Sequence, residues 1–185
     1  INGSITVNFD LFNCIVGQND AGKSTILKAL DASLNETTLS RADYNVQAQD
    51  NQIIVELFFD CKNKQYLLGE EILTTIESEE LTNEENLLVW KKVWNVTETN
   101  VSKPKTSIVR KKYNGTSDFI SKTEAQLIAQ CTANTIATAK GNGEAYNNVE
   151  KREKLREFNQ QNNIAFTYEV EEIPGTGTSK LKAIG

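Results

Sequence analysis

Apolar positions along this chain recur with two different periods, and the change of period divides it. Near the start, Ile5, Val7 and Phe9 alternate with polar residues and predict an edge strand with one wet face. The run Cys14-Ile15-Val16 is continuously apolar and predicts a short, buried central strand. After it, Ile26, Leu27, Leu30 and Leu34 fall at helical spacing, predicting a helix from Lys23 to about Leu34 that stops at Asn35. From Asn51 to Cys61 the period returns to two, with Ile53, Val55, Leu57 and Phe59 on one face. Leu68, Ile72 and Ile76 suggest a short helix, and an acidic, polar stretch runs on to Glu85.

Two further strand-like runs, 87–96 and 106–113, enclose a polar loop containing Pro104, and Asn114-Gly115 is a hairpin-turn signal. Ser121-Lys122-Thr123-Glu124 reads as a capping box opening a helix with Leu127, Ile128 and Cys131. Gly141-Asn142-Gly143 reads as a joint. A highly charged helix follows, Val149 to Gln161, with Asn147 as its cap and Glu150 at the third helical position. Ile164, Phe166, Tyr168 and Val170 alternate as a last strand, and the tail from Pro174 is loop-like. The pattern predicts one α/β domain: a strand–helix core over 1–65, a strand-rich elaboration over 66–122, and a helical segment with a terminal strand and loop over 123–185.

The candidate chemistry lies where the first apolar strand gives way to the first helix. Gly17-Gln18-Asn19-Asp20-Ala21-Gly22-Lys23-Ser24-Thr25 matches the phosphate-binding loop pattern at every fixed position. Gly17 lets the chain turn sharply off a strand, and Gly22 lets backbone approach phosphate oxygens without a Cβ in the way. Backbone N–H groups from Asn19 through Asp20, Ala21 and Gly22 to Lys23 form an anion nest at a helix N-terminus. Lys23 supplies the point charge for the β- and γ-phosphates, Ser24 a hydroxyl for Mg²⁺, and Thr25 a donor for the α-phosphate. The ligand read from these residues is ATP with Mg²⁺.

The stretch from Gly17 through Thr25 and on into Ile26-Leu27-Lys28-Ala29-Leu30 resembles the P-loop of ABC-type ATPases of the SMC/RecF kind. It is especially similar to the ATPase domains of OLD-family nucleases and of related AAA15-like phage-defence ATPases. The specific likeness covers about the first 60 residues, through Ala42-Asp43-Tyr44 and the strand Ile53 to Phe59. It implies an ABC-ATPase-like head that pairs with a second head, as a homodimer or higher oligomer, so that ATP turnover controls a DNA-acting or effector partner. Such heads also carry a signature loop, an apolar strand ending in Asp-Glu, and a metal-contacting Gln. Only partial imitations occur here: Leu39-Ser40-Arg41 lacks the glycines of a signature loop, and Leu57-Phe58-Phe59-Asp60 is interrupted by Glu56 and followed by Cys61. Gln47, Gln49, Gln52 and Gln65 are equally available as the Gln. Alternatives are a stand-alone P-loop kinase or GTPase and a non-hydrolysing regulatory module.

Composition narrows this picture. With 185 residues, of which 38% are hydrophobic, one sizeable core is affordable. A formal net charge of −5 does not advertise a nucleic-acid binder, although Lys91-Lys92, Lys103, Lys105 and Arg110-Lys111-Lys112 lie near Trp90, Trp94 and Tyr113 and form a candidate contact. The charged helix reads as a solvated face. No His is present, so Ser-His-Asp and Cys-His systems are excluded. Cys14, Cys61 and Cys131, odd in number and widely spaced, suit a reducing compartment, and the expected location is the cytoplasm with no membrane partner. The absence of Met predicts a piece of a longer protein.

Overall fold

Alternation of apolar residues becomes strand structure in the middle of the chain and does not near its start. The computed structural model describes residues 4–18, 22–35, 37–48, 50–68, 72–115 and 118–174. Its elements are α1 (Lys23–Leu34), β1 (Gln52–Phe59), β2 (Gln65–Leu67), β3 (Leu73–Thr75), β4 (Leu88–Asn95), β5 (Lys105–Tyr113), α2 (Glu124–Ala133), α3 (Asn148–Gln161) and β6 (Phe166–Glu172), with one helical turn at Arg41–Asp43. One sheet has the order β1-β4-β5-β6, and β2 pairs with β3. The predicted α/β class is observed. The chain divides into two units: Ile1–Glu56 with Lys91–Lys105, and Leu57–Trp90 with Thr106–Gly185.

In the first unit, Ala32 of α1 joins Leu39, Tyr44, Trp94, Val96 and Val101 in a core, against which Ile53 and Val55 of β1 pack. The β-period of Ile53 and Val55 is therefore used as the sequence suggests. The Tyr44 hydroxyl lies 3.1 Å from the Ala48 carbonyl and 3.2 Å from that of Asp50, tying the segment after the helical turn to itself. That turn is closed by a reciprocal cap between Ser40 and Asp43, and Asp43 reaches the ammonium of Lys28 on α1. Helix α1 spans the predicted residues and ends at the predicted Asn35. Its apolar face is only partly used, with Leu27 and Leu34 both 57% exposed.

The predicted strands at Ile5–Phe9 and Cys14–Val16 are corrected: residues 4–18 hold no strand, Cys14 is exposed and Val16 is 82% exposed. An apolar run becomes a buried strand only when neighbours hydrogen-bond both its edges and cover both its faces. The sheet here is made of β1, β4, β5 and β6, and residues 14–16 have no ladder in it.

In the second unit, Ile76, Leu81, Trp90, Ile108, Ile120 and Ile173 form the centre of one core. A smaller cluster of Phe119, Leu127, Cys131 and Leu155 lies where α2 and α3 pack. The short helix suggested by Leu68, Ile72 and Ile76 is instead β3 followed by a turn at 76–80. Strands β5 and β6 pair antiparallel from Ser107↔Glu172 to Tyr113↔Phe166. The turn at Asn114-Gly115 forms, with Gly115 at φ +72°, but it closes no hairpin, since β6, the next strand to pair with β5, meets Tyr113 only 53 positions on, at Phe166. Helix α2 is opened by Thr123 with Gln126, in place of Ser121 with Glu124, because the capping pair must sit at the first residue before the helix and its third position. For α3 the prediction holds, with Asn147 and Glu150 bonded reciprocally.

The charged helix is not a solvated face. Lys151, Arg152, Leu155, Arg156 and Asn159 are buried along one stripe of α3. The reason is Glu79, fully buried in the turn after β3. Its carboxylate accepts from Arg152 Nε at 3.0 Å, Arg152 Nη2 at 2.8 Å, Arg156 Nη2 at 2.6 Å and the Thr74 hydroxyl at 3.0 Å. Arg156 Nη1 also donates to the Ser78 carbonyl at 2.9 Å. Burial opposes the charge on Glu79, but Arg156 and Arg152 outweigh it and hold the carboxyl below its ordinary range.

Candidate nucleotide site

Helix α1 begins at a residue that only glycine fits comfortably. Gly22, its N-cap, sits at φ 84° and ψ 9°, the left-handed region where a Cβ would crowd the following carbonyl. The Gly22 carbonyl accepts from Thr25 N–H at 3.1 Å and Ile26 N–H at 3.3 Å, which starts the helical ladder. Among the described residues no side chain caps this end, and the first turn holds no acidic residue. The positive end of the helix dipole lies at this end.

Lys23 is the first helical residue, and its side chain runs back across the loop. Its ammonium donates to the carbonyl oxygens of Gly17, at 2.7 Å, and Gln18, at 2.5 Å. The two ends of the loop are therefore held together by the lysine that carries the charge. An ammonium has three donors, so two spent on the loop leave one for a phosphate oxygen. Ser24 and Thr25 follow in the first turn, both exposed. Asn19, Asp20 and Ala21 lie outside the described residues.

The donor set fits a nucleoside triphosphate with a divalent cation. Among the described residues no group of three or more His, Cys, Asp or Glu side chains could hold a metal ion. A cation bound with the triphosphate would find a hydroxyl oxygen at Ser24 beside phosphate and water, the ligands Mg²⁺ usually takes. Asp60, the imitation of an Asp-Glu strand end, is exposed and accepts from the Lys62 N–H at 3.0 Å, closing a turn. Of the glutamines, Gln52 donates its side-chain amide to Asn95 at 3.0 Å, Gln47 and Gln65 are exposed, and Gln49 lies outside the described residues.

A family model described as AAA ATPase domain (AAA_15) matches residues 3–181, nearly the whole chain. The chain belongs to the AAA_15 ATPase family. No curated protein and no solved structure matches it. As an AAA ATPase domain it has a nucleotide-binding, ATPase role. No helix among the described residues is long and apolar enough to cross a membrane.

The basic run that suggested nucleic-acid contact is answered largely from within the domain. Lys91 pairs with Glu56 at 2.8 Å, Arg110 with Asp118 at 2.7 Å and Glu171 at 3.2 Å, and Lys112 with Glu169 at 3.1 Å. Lys111 lies 4.1 Å from the centre of the Phe166 ring and bonds the Tyr113 hydroxyl, which in turn donates to Glu80. Trp90, Trp94 and Tyr113 are buried, so none offers a ring for a base to stack on.

The Glu79 cluster is what sequence reasoning missed. The signal was present in the spacing 151, 152, 155, 156, 159, a single helical stripe with Leu155 at its centre, but charge masked it.

Proposed function

We propose that this AAA ATPase domain binds Mg-ATP at Gly17–Thr25 and works as the head of an SMC/OLD-like cytoplasmic protein. In this reading two heads close on nucleotide, and their ATP cycle controls a DNA-acting or anti-phage activity carried by an effector partner. The observation that carries the nucleotide half is the lysine-closed loop at the glycine-started helix α1. The likeness of Gly17–Leu30 to OLD-family and AAA15-like loops supports the head-pairing half. Backbone N–H groups of the loop and Lys23 would hold the phosphates, and Ser24 the cation. The cation would offset negative charge on the β- and γ-phosphates.

The test is titration of the protein with ATP and GTP in the presence of Mg²⁺, read beside its mass in solution. ATP binding with a rise from monomer to dimer is expected. Preference for GTP would exclude the SMC/OLD-like reading, and ATP binding without a change of mass would remove the head-pairing half. Lys23→Ala is expected to weaken triphosphate binding by more than about a hundredfold, the loss of a charge-assisted contact. Unchanged binding in that variant would refute the site itself.

A further inference from the structure

The sequence holds Asn-Gly pairs at Asn2-Gly3, Asn114-Gly115 and Asn142-Gly143, the first of them outside the described residues. Glycine after asparagine leaves the backbone nitrogen unshielded and the chain free to fold the side-chain amide back upon it. Such pairs are chemically labile, and the folded environment decides whether the lability is expressed.

The two described pairs differ in how they are held. Asn142 is locked. Its side-chain oxygen accepts from the Glu144 N–H at 3.1 Å, and the Gly143 N–H is committed to the Lys140 carbonyl at 2.9 Å. Around it, the Lys140 N–H donates to the Glu144 carbonyl at 2.7 Å, and Ala139 bridges Ala145. Attack on the Asn142 side chain needs this closed turn to open first.

Among the described residues Asn114 is held by its backbone alone, whose N–H donates to the Ala165 carbonyl at 2.8 Å. Among the described residues its side chain has no hydrogen-bond partner and the Gly115 N–H no backbone partner. The two pairs are alike in exposure and in the open space around a Cβ built on the glycine, so the hydrogen bonds are what set them apart.

We propose that Asn114 is a site of spontaneous deamidation in the folded protein, and that Asn142 is protected. The Gly115 backbone nitrogen bonds to the Asn114 side-chain carbonyl carbon, and the carbon–nitrogen bond of the amide breaks. The Gly115 proton leaves with the amide nitrogen as ammonia, and a succinimide remains. Water then opens either carbonyl of that ring, giving aspartate or isoaspartate at position 114. Aspartate adds one negative charge to a chain of formal charge −5. Isoaspartate adds a backbone carbon beside the Asn114–Ala165 bond and loosens the end of the β5–β6 ladder at Tyr113↔Phe166.

The experiment incubates the folded protein and, in parallel, the urea-unfolded chain at mildly alkaline pH. Trypsin then releases residues 113–122 and 141–151 as separate peptides, and mass spectrometry reads amide-to-acid conversion in each. In urea the two Asn-Gly pairs are expected to convert at similar rates. In the folded protein conversion at Asn114 is expected to be roughly tenfold faster than at Asn142 or more, the protection given by a local opening step. Equal rates in the folded protein, faster conversion at Asn142, or no conversion at Asn114 while the unfolded chain converts would each overturn the inference.

Discussion

Removing the charge of Glu79 tests whether the second unit is organised by its buried ion cluster. Glu79→Gln keeps the shape of the side chain and turns one acceptor oxygen into a donor. That donor then faces guanidinium N–H groups of Arg152 and Arg156, whose side chains are 1% and 6% exposed. Neither arginine can reach water to recover its hydration, and although Arg156 keeps Glu80 at 3.4 Å, both buried cations lose their shared anion. Breaking a buried pair from one side costs about 3–5 kcal/mol. The upper part of that range fits here, because the Thr74 hydroxyl and both guanidiniums converge on one carboxylate. With a urea dependence of about 2–3 kcal/mol per molar, the unfolding midpoint followed by tryptophan fluorescence should fall by about 1–2 M. Replacing the cluster with apolar residues of similar volume, Glu79→Leu with Arg152→Met and Arg156→Leu, should recover most of the loss.

The same carboxylate gives a pH signature. Its folded pKa lies below the unfolded value, so its stabilisation is complete above the unfolded pKa of about 4.3 and is lost as pH falls through the folded one. Wild type should lose stability steeply below about pH 4, and Glu79→Gln more shallowly. A midpoint shift under about 0.3 M, or parallel acid profiles, would refute the view that this cluster organises the unit.

Gly22→Ala forces an alanine into φ 84° and should cost about 1–2 kcal/mol, seen as a lower midpoint, together with weaker triphosphate binding; an unchanged protein would argue against the left-handed helix start. Thr123→Ala should cost about 1 kcal/mol whereas Ser121→Ala should stay within about 0.5 kcal/mol, and thermal melts of the two variants decide which residue caps α2. Val16→Ser should change stability by less than about 0.5 kcal/mol, since the side chain is 82% exposed; a loss of several kcal/mol by urea titration would restore the buried central strand.

Features set by neighbours in the chain were legible from the residues alone. The span of α1, its stop at Asn35 and the Asn147–Glu150 cap all depend on contacts a few positions apart, where spacing and stereochemistry suffice. The alternation at Ile53 and Val55 was equally clear, because a half-buried strand writes its period into the sequence. Burial was another matter. Cys14-Ile15-Val16 has the composition of a central strand and remains outside the sheet, while Arg152 and Arg156 have the composition of a solvated face and lie under the surface. Both outcomes turn on a partner far away in sequence: a flanking strand in the first case, and in the second the carboxylate of Glu79, 73 positions before Arg152. Whether an apolar run finds cover, or a cation finds an anion, is a property of packing between distant segments, and no local period encodes it.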